Sequence, residues 1–149
     1  MKKYFPLALC IFIAFVFLQS LPFKFTNSLE TQHIFQTLGE WSGLAWFGQY
    51  GGYMVGTAEL ITAIVLFTKW RTIGAVMAAG IMSGAILFHL VTPLGTIMPL
   101  FDPETGLQTG DDGGVLFYMA CATWVCSIIL LVLDYKNPEG CFAKVFKKD

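Results

Sequence analysis

Residues 48–68 constrain this chain more than any other stretch. They are apolar almost throughout, yet they carry Glu59 near the middle. A hydrocarbon core of ~30 Å needs roughly 20 apolar residues in helix. A carboxylate at that depth costs roughly 2.5–3.5 kcal/mol on insertion scales. Glu59 is therefore expected to face other helices and to be paired or protonated. Gly48, Gly52 and Gly56 recur at i+4, and Glu59 and Ala63 fall close to the same face. Small residues there let a neighbouring helix approach closely.

Three further apolar runs cover residues 4–23, 72–92 and 114–133. The chain is 149 residues long, and only 13% of them are charged. An ordinary soluble domain carries about 25%. The expected fold is all-α, an integral membrane four-helix bundle forming a single domain over residues 1–149. The lipid bilayer is its first partner. A net charge of −1 gives no electrostatic footprint for nucleic acid. Cys10, Cys121, Cys126 and Cys141 form no C-x-x-C pair, which argues against a disulfide framework or a thiol-redox motif. They read as buried free thiols.

Lys2 and Lys3 precede the first run, which reaches Phe17-Leu18-Gln19-Ser20 without a small-x-small cleavage pattern. It reads as an uncleaved span, not a signal peptide. After Lys24, Asn27 can cap a helix and Glu30 can close a capping box. Ile34, Phe35, Leu38 and Trp41 then share a face, and Gly39 is a candidate stop. This predicts a short amphipathic helix at the membrane surface, in the first outward loop. Trp41, Trp46 and Tyr50 mark an interfacial aromatic belt.

Only Lys69, Trp70 and Arg71 separate the second run from the third, so these two form an antiparallel hairpin. In the third run Gly74, Ala78, Met82, Ala85 and His89 share a face, and Gly80 and Gly84 form a second small-residue ridge. Pro93 ends it. Residues 94–110 read as a turn-rich loop that holds acids and no lysine or arginine; its apolar first part can dip into the interface. Lys2, Lys3, Lys69, Arg71, Lys136, Lys144, Lys147 and Lys148 fall on one side of a four-span arrangement, and Lys24 alone on the other. The positive-inside rule then puts both termini in the cytoplasm.

Several stretches together resemble the DoxX family of small four-span bacterial inner-membrane proteins. They are Phe23-Lys24-Phe25-Thr26, Gly56-Thr57-Ala58-Glu59-Leu60, Gly80-Ile81-Met82-Ser83-Gly84-Ala85, His89-Leu90-Val91-Thr92-Pro93-Leu94-Gly95 and Asp112-Gly113-Gly114-Val115-Leu116-Phe117. The resemblance covers roughly residues 5–135. It implies a bacterial inner-membrane location and an accessory role in membrane redox chemistry, with quinone as the candidate cofactor. A membrane redox partner or a homo-oligomer would go with that role. Relatives in the wider group use a cysteine pair, which this sequence lacks.

Four residues are ligand-binding candidates in the outward half of the bundle: Lys24, Glu59, His89 and Asp112. Glu59 can move a proton or hold a polar head group; its plainer role is to fix helix register. His89 can bond a quinone carbonyl or shuttle a proton, or simply bond a loop carbonyl. Lys24 and Asp112 can pair across the outer boundary or grip a ligand between them. Alternatively Lys24 snorkels and Asp112 caps the fourth helix. Counted along the helices, Glu59 and His89 differ in depth by roughly 10 Å, so no direct bond is expected. Asp102, Glu104, Asp111 and Asp112 fit no calcium-loop spacing, His33 has no zinc partners nearby, and no catalytic motif is visible. Two other classes stay open: a small-solute or proton-coupled transporter, and an assembly partner without catalysis.

Overall fold

Each apolar run forms a helix of 21 residues, about 30 Å of helix at 1.5 Å per residue. The computed structural model describes residues 4–137. Lys2, Lys3, Cys141, Lys144, Lys147 and Lys148 lie outside the described residues. The long helices are α1 (Phe5–Phe25), α3 (Ala45–Val65), α4 (Arg71–Val91) and α5 (Val115–Tyr135), with α2 (Leu29–Ser42) between the first two. By length and composition α1, α4 and α5 are apolar enough to cross a membrane. Helix α3 has the length, but Gln49, Tyr50, Tyr53 and Glu59 lower its hydropathy. Three helices, not four, therefore meet that measure among the described residues.

The long helices form a ring in which α1 touches α3 and α5, and α4 touches α3 and α5. At the end holding the α3–α4 turn the interior is filled. Leu9, Cys10, Ile13 and Phe17 of α1 meet Leu66, Ala75, Ala78 and Met82, with Ala120 and Leu130 of α5 closing the cluster. Gly74 lets α4 reach the end of α3, since a Cβ there would lie 2.9 Å from the Leu66 amide nitrogen. Two polar contacts are sealed at this end. The Thr72 hydroxyl donates to Asp134 at 2.5 Å, and the Ser127 hydroxyl donates to the Thr123 carbonyl at 2.8 Å.

The opposite end is built differently. Helix α2 does not lie alone on a surface; it packs antiparallel along the first three turns of α3. The glycines of α3 are its seat. A Cβ at Gly52 would meet Thr31 at 2.9 Å, one at Gly51 would overlap the Phe35 ring, and Gly48 lies against Gly39. Gly39 is thus a close-approach glycine, not a stop; α2 runs on to Ser42 and ends at Gly43, where φ is +72°. The cap also shifts by one residue. Ser28, not Asn27, accepts the Thr31 amide at 3.3 Å, and Asn27 takes a positive φ of 51°. Glu30 accepts the Phe101 amide at 3.3 Å instead of closing a capping box.

Phe101 belongs to a small hairpin that replaces the expected loop. Strand β1 (Pro99–Phe101) pairs antiparallel with β2 (Gln108–Asp111), with a bulge between Leu100 and Phe101. Asp102 organises the turn by accepting the Glu104 and Thr105 amides. The bonds from Thr105 and Glu104 hold its carboxyl below the usual range. Leu94 and Met98 ahead of the hairpin are buried against Phe35 and Leu38 of α2. The apolar start of this segment therefore enters a second protein core.

Candidate functional site

Between the two cores lies a cavity of about 710 Å³. Its walls come from all five helices and the hairpin segment, and most lining side chains are apolar. Gly80 and Gly84 both line it, and a Cβ on either would meet nothing within 4 Å. The expected ridge at 80 and 84 thus has no neighbour packed against it. Lys24, Glu59, His89 and Asp112 all line this one cavity.

Lys24 stands in the last turn of α1, one turn beyond Ser20. Its ammonium lies 2.6 Å from Glu59 Oε2 on α3 and donates to Ser20 Oγ at 2.8 Å. The Ser20 hydroxyl is in turn 3.0 Å from the same carboxylate oxygen and 2.8 Å from the Phe17 carbonyl. Gly56, one turn before Glu59, makes room for the lysine stem: a Cβ there would sit 3.3 Å from Lys24 Cβ. The side chains of Lys24 and Glu59 are 17% and 4% exposed. Two charges this deep are costly unless paired and further hydrogen-bonded, and Ser20 supplies the additional bond.

Of the two roles open to Asp112, pairing with Lys24 is not formed and capping of α5 is. Asp112 is committed to backbone amides. Its Oδ1 accepts from Met98 and Gly114, each at 2.8 Å, and its Oδ2 accepts from Leu116 at 2.9 Å. It thereby caps α5 and ties that helix to the hairpin segment. Burial opposes its ionisation. The bonds from Leu116, Met98 and Gly114, with nearby His89, outweigh burial and hold its carboxyl below the usual range.

His89 is 6% exposed, near the end of α4. Its Nδ1 lies 2.5 Å from the Gly95 carbonyl and must donate to it, since a carbonyl only accepts. Gly95 takes a φ of +70°, a turn conformation natural for glycine, just beyond Pro93. The imidazole also meets the Phe117 ring edge to face, at 5.6 Å between centroids. No bond joins His89 to Glu59 among the described residues; the two share the cavity wall.

Ser20 is the member that sequence reasoning missed. Its signal was the i, i+4 spacing to Lys24, which puts hydroxyl and ammonium on one face of α1. A second cleft, of about 320 Å³, runs between α2 and α3 and is lined by Asn27, Gln32, Gln36, Glu40 and Gln49. It is polar and shallow and shares no residue with the cavity.

Fold and site together define a helical protein with three helices long and apolar enough to cross a membrane and a partly open, mainly apolar cavity carrying a buried ion pair. Comparison with family models, with curated proteins and with solved structures gives no match.

Proposed function

We propose that this is a DoxX-like, four-span protein of the bacterial inner membrane whose cavity holds a lipophilic ligand with a polar head, a quinone-type ring being the best fit. The observation that carries the reading is the cavity itself: about 710 Å³, mainly apolar, with Lys24, Glu59 and His89 on its walls. Ligand sites of this kind run to roughly 300–1,000 Å³ with a few placed polar groups. Helix α3 is the fourth span in this reading. Its one buried acid is neutralised by Lys24, which removes the main obstacle to insertion. Lys69 and Arg71 at the α3–α4 turn, against the acids of residues 102–112, favour that turn and both termini on the cytoplasmic side. The redox role follows from the ligand class and from the family resemblance. The chain acts as an accessory subunit, with a membrane redox partner or a second copy beside it.

The test is solvent extraction and mass spectrometry of gently purified protein, alongside Glu59→Gln and His89→Ala. Stoichiometric quinone that falls in either variant supports the reading. Folded wild type with no lipophilic ligand refutes it. Impermeant thiol labelling of a Thr105→Cys variant in intact cells checks the topology, and labelling is expected from outside.

A further inference from the structure

The polar groups on the cavity wall differ in what they have left to offer a ligand. Lys24 has three N–H donors; Ser20 and Glu59 take two, and one is free among the described residues. Glu59 accepts through Oε2, and its Oε1 has no hydrogen-bond partner among the described residues. His89 donates through Nδ1 to Gly95, so in the neutral imidazole Nε2 is left as an acceptor without a partner among the described residues. Neither Oε1 nor Nε2 is among the sealed side-chain atoms that lack a bond; those are Arg71 Nε and Thr123 Oγ1. Both are therefore open, and both residues line the cavity. Asp112 is already bonded to three amides. The residues on the cavity wall thus hold two unpaired acceptors and one unpaired donor among the described residues.

A ligand that only accepts hydrogen bonds satisfies Lys24 and leaves Glu59 and His89 without donors. A ligand that carries hydroxyl protons can satisfy all three. Leaving a polar group unpaired in an apolar site costs more than a matched bond gains. We infer that the cavity selects a ligand with hydroxyl donors at its polar end. For a quinone-type ring this is the reduced, hydroquinone form. The bond from His89 Nδ1–H to Gly95 is what leaves Nε2 as the acceptor for that hydroxyl. The inference rests on the lipophilic-ligand reading and deepens it, since it assigns the oxidation state the site holds. A tenfold preference for the reduced form raises the midpoint of the bound couple by about 30 mV. The protein would then keep a reducing equivalent on its ligand for a partner to collect.

The experiment is a binding titration in nanodiscs at pH 8.5, above the ordinary range of histidine titration. Three probes are compared on the full chain: a decyl-substituted benzoquinone, its hydroquinone under anaerobic conditions, and the dimethyl ether of that hydroquinone. The hydroquinone is expected to bind about tenfold more tightly than the other two. In His89→Gln, whose amide can turn to donate or accept, the preference is expected to fall severalfold. The ether comparison uses wild-type protein and does not depend on how a variant folds. Equal binding of all three probes overturns the inference and leaves the lipophilic site standing. Tighter binding of the quinone overturns it as well. No binding of any probe to folded protein removes the site reading together with the inference.

Discussion

The two ends of the bundle use similar residues to opposite effect. At the end holding the α3–α4 turn, a glycine brings backbones together: Gly74 lies against Leu66. Around the cavity, Gly80 and Gly84 bring nothing closer. The turn end buries an acid, Asp134, against a hydroxyl. The cavity buries an acid, Glu59, against a lysine and a serine, with one carboxylate oxygen left over. The packed part seals even its unpaired polar atoms, Arg71 Nε and Thr123 Oγ1, away from any ligand. The cavity wall keeps polar capacity in reserve, as a binding site requires. A helical glycine has no single meaning, since what stands opposite decides whether it closes or opens space.

The largest effect is expected from splitting the ion pair. Lys24→Met leaves Glu59 buried and unpaired, and should destabilise the protein by about 3–5 kcal/mol. The double variant Lys24→Met/Glu59→Leu should recover most of that loss. Unfolding in mixed micelles reads both. If the single variant costs nothing, the pair is not buried in the membrane-embedded protein.

Next comes a direct contrast of glycines. Gly74→Val forces a side chain into Leu66 and should cost about 1–3 kcal/mol. Gly84→Val should change stability by less than about 0.5 kcal/mol, because nothing stands opposite. Equal costs in thermal unfolding would erase the difference between the two ends. At the turn end, Thr72→Val leaves Asp134 without the Thr72 bond and should cost about 1–3 kcal/mol.

Among the substitutions expected to destabilise, Asp112 gives the smallest effect. Asp112→Ala should cost about 1 kcal/mol at neutral pH, as for other lost helix caps. Its folded pKa lies below the unfolded value of 3.8. The stabilisation is therefore complete above that value and fades as pH falls through the folded pKa. The gap between wild type and variant in thermal unfolding should hold from neutral pH down to about 4 and narrow only below it.

The helices were legible because their ends carry physical signals. The run at 72–92 is bounded by Arg71 and Pro93, and α4 spans Arg71–Val91. What the sequence hid was vertical offset. Counting depth from the span ends put Lys24 at the boundary and Glu59 deep. In fact α3 begins at Ala45, and its first three turns rise past the end of α1 to pack on α2. Lys24 therefore lies level with Gly56, within reach of Glu59. No pattern in either helix reveals that stagger, because it is set by contacts between residues 31–39 and 48–52. The hairpin was hidden for another reason. Strands of three and four residues carry too little alternation to read.

The central claim is that the hollow half is a ligand site and not a packing defect. Native mass spectrometry of wild type beside Gly84→Leu tests it most directly. Gly84 lines the cavity, and nothing stands within 4 Å of a Cβ built on it. The account predicts one lipophilic ligand per wild-type chain and none on the variant, which should melt no lower. A folded wild type that carries nothing, or a variant that holds the same ligand equally well, would contradict it.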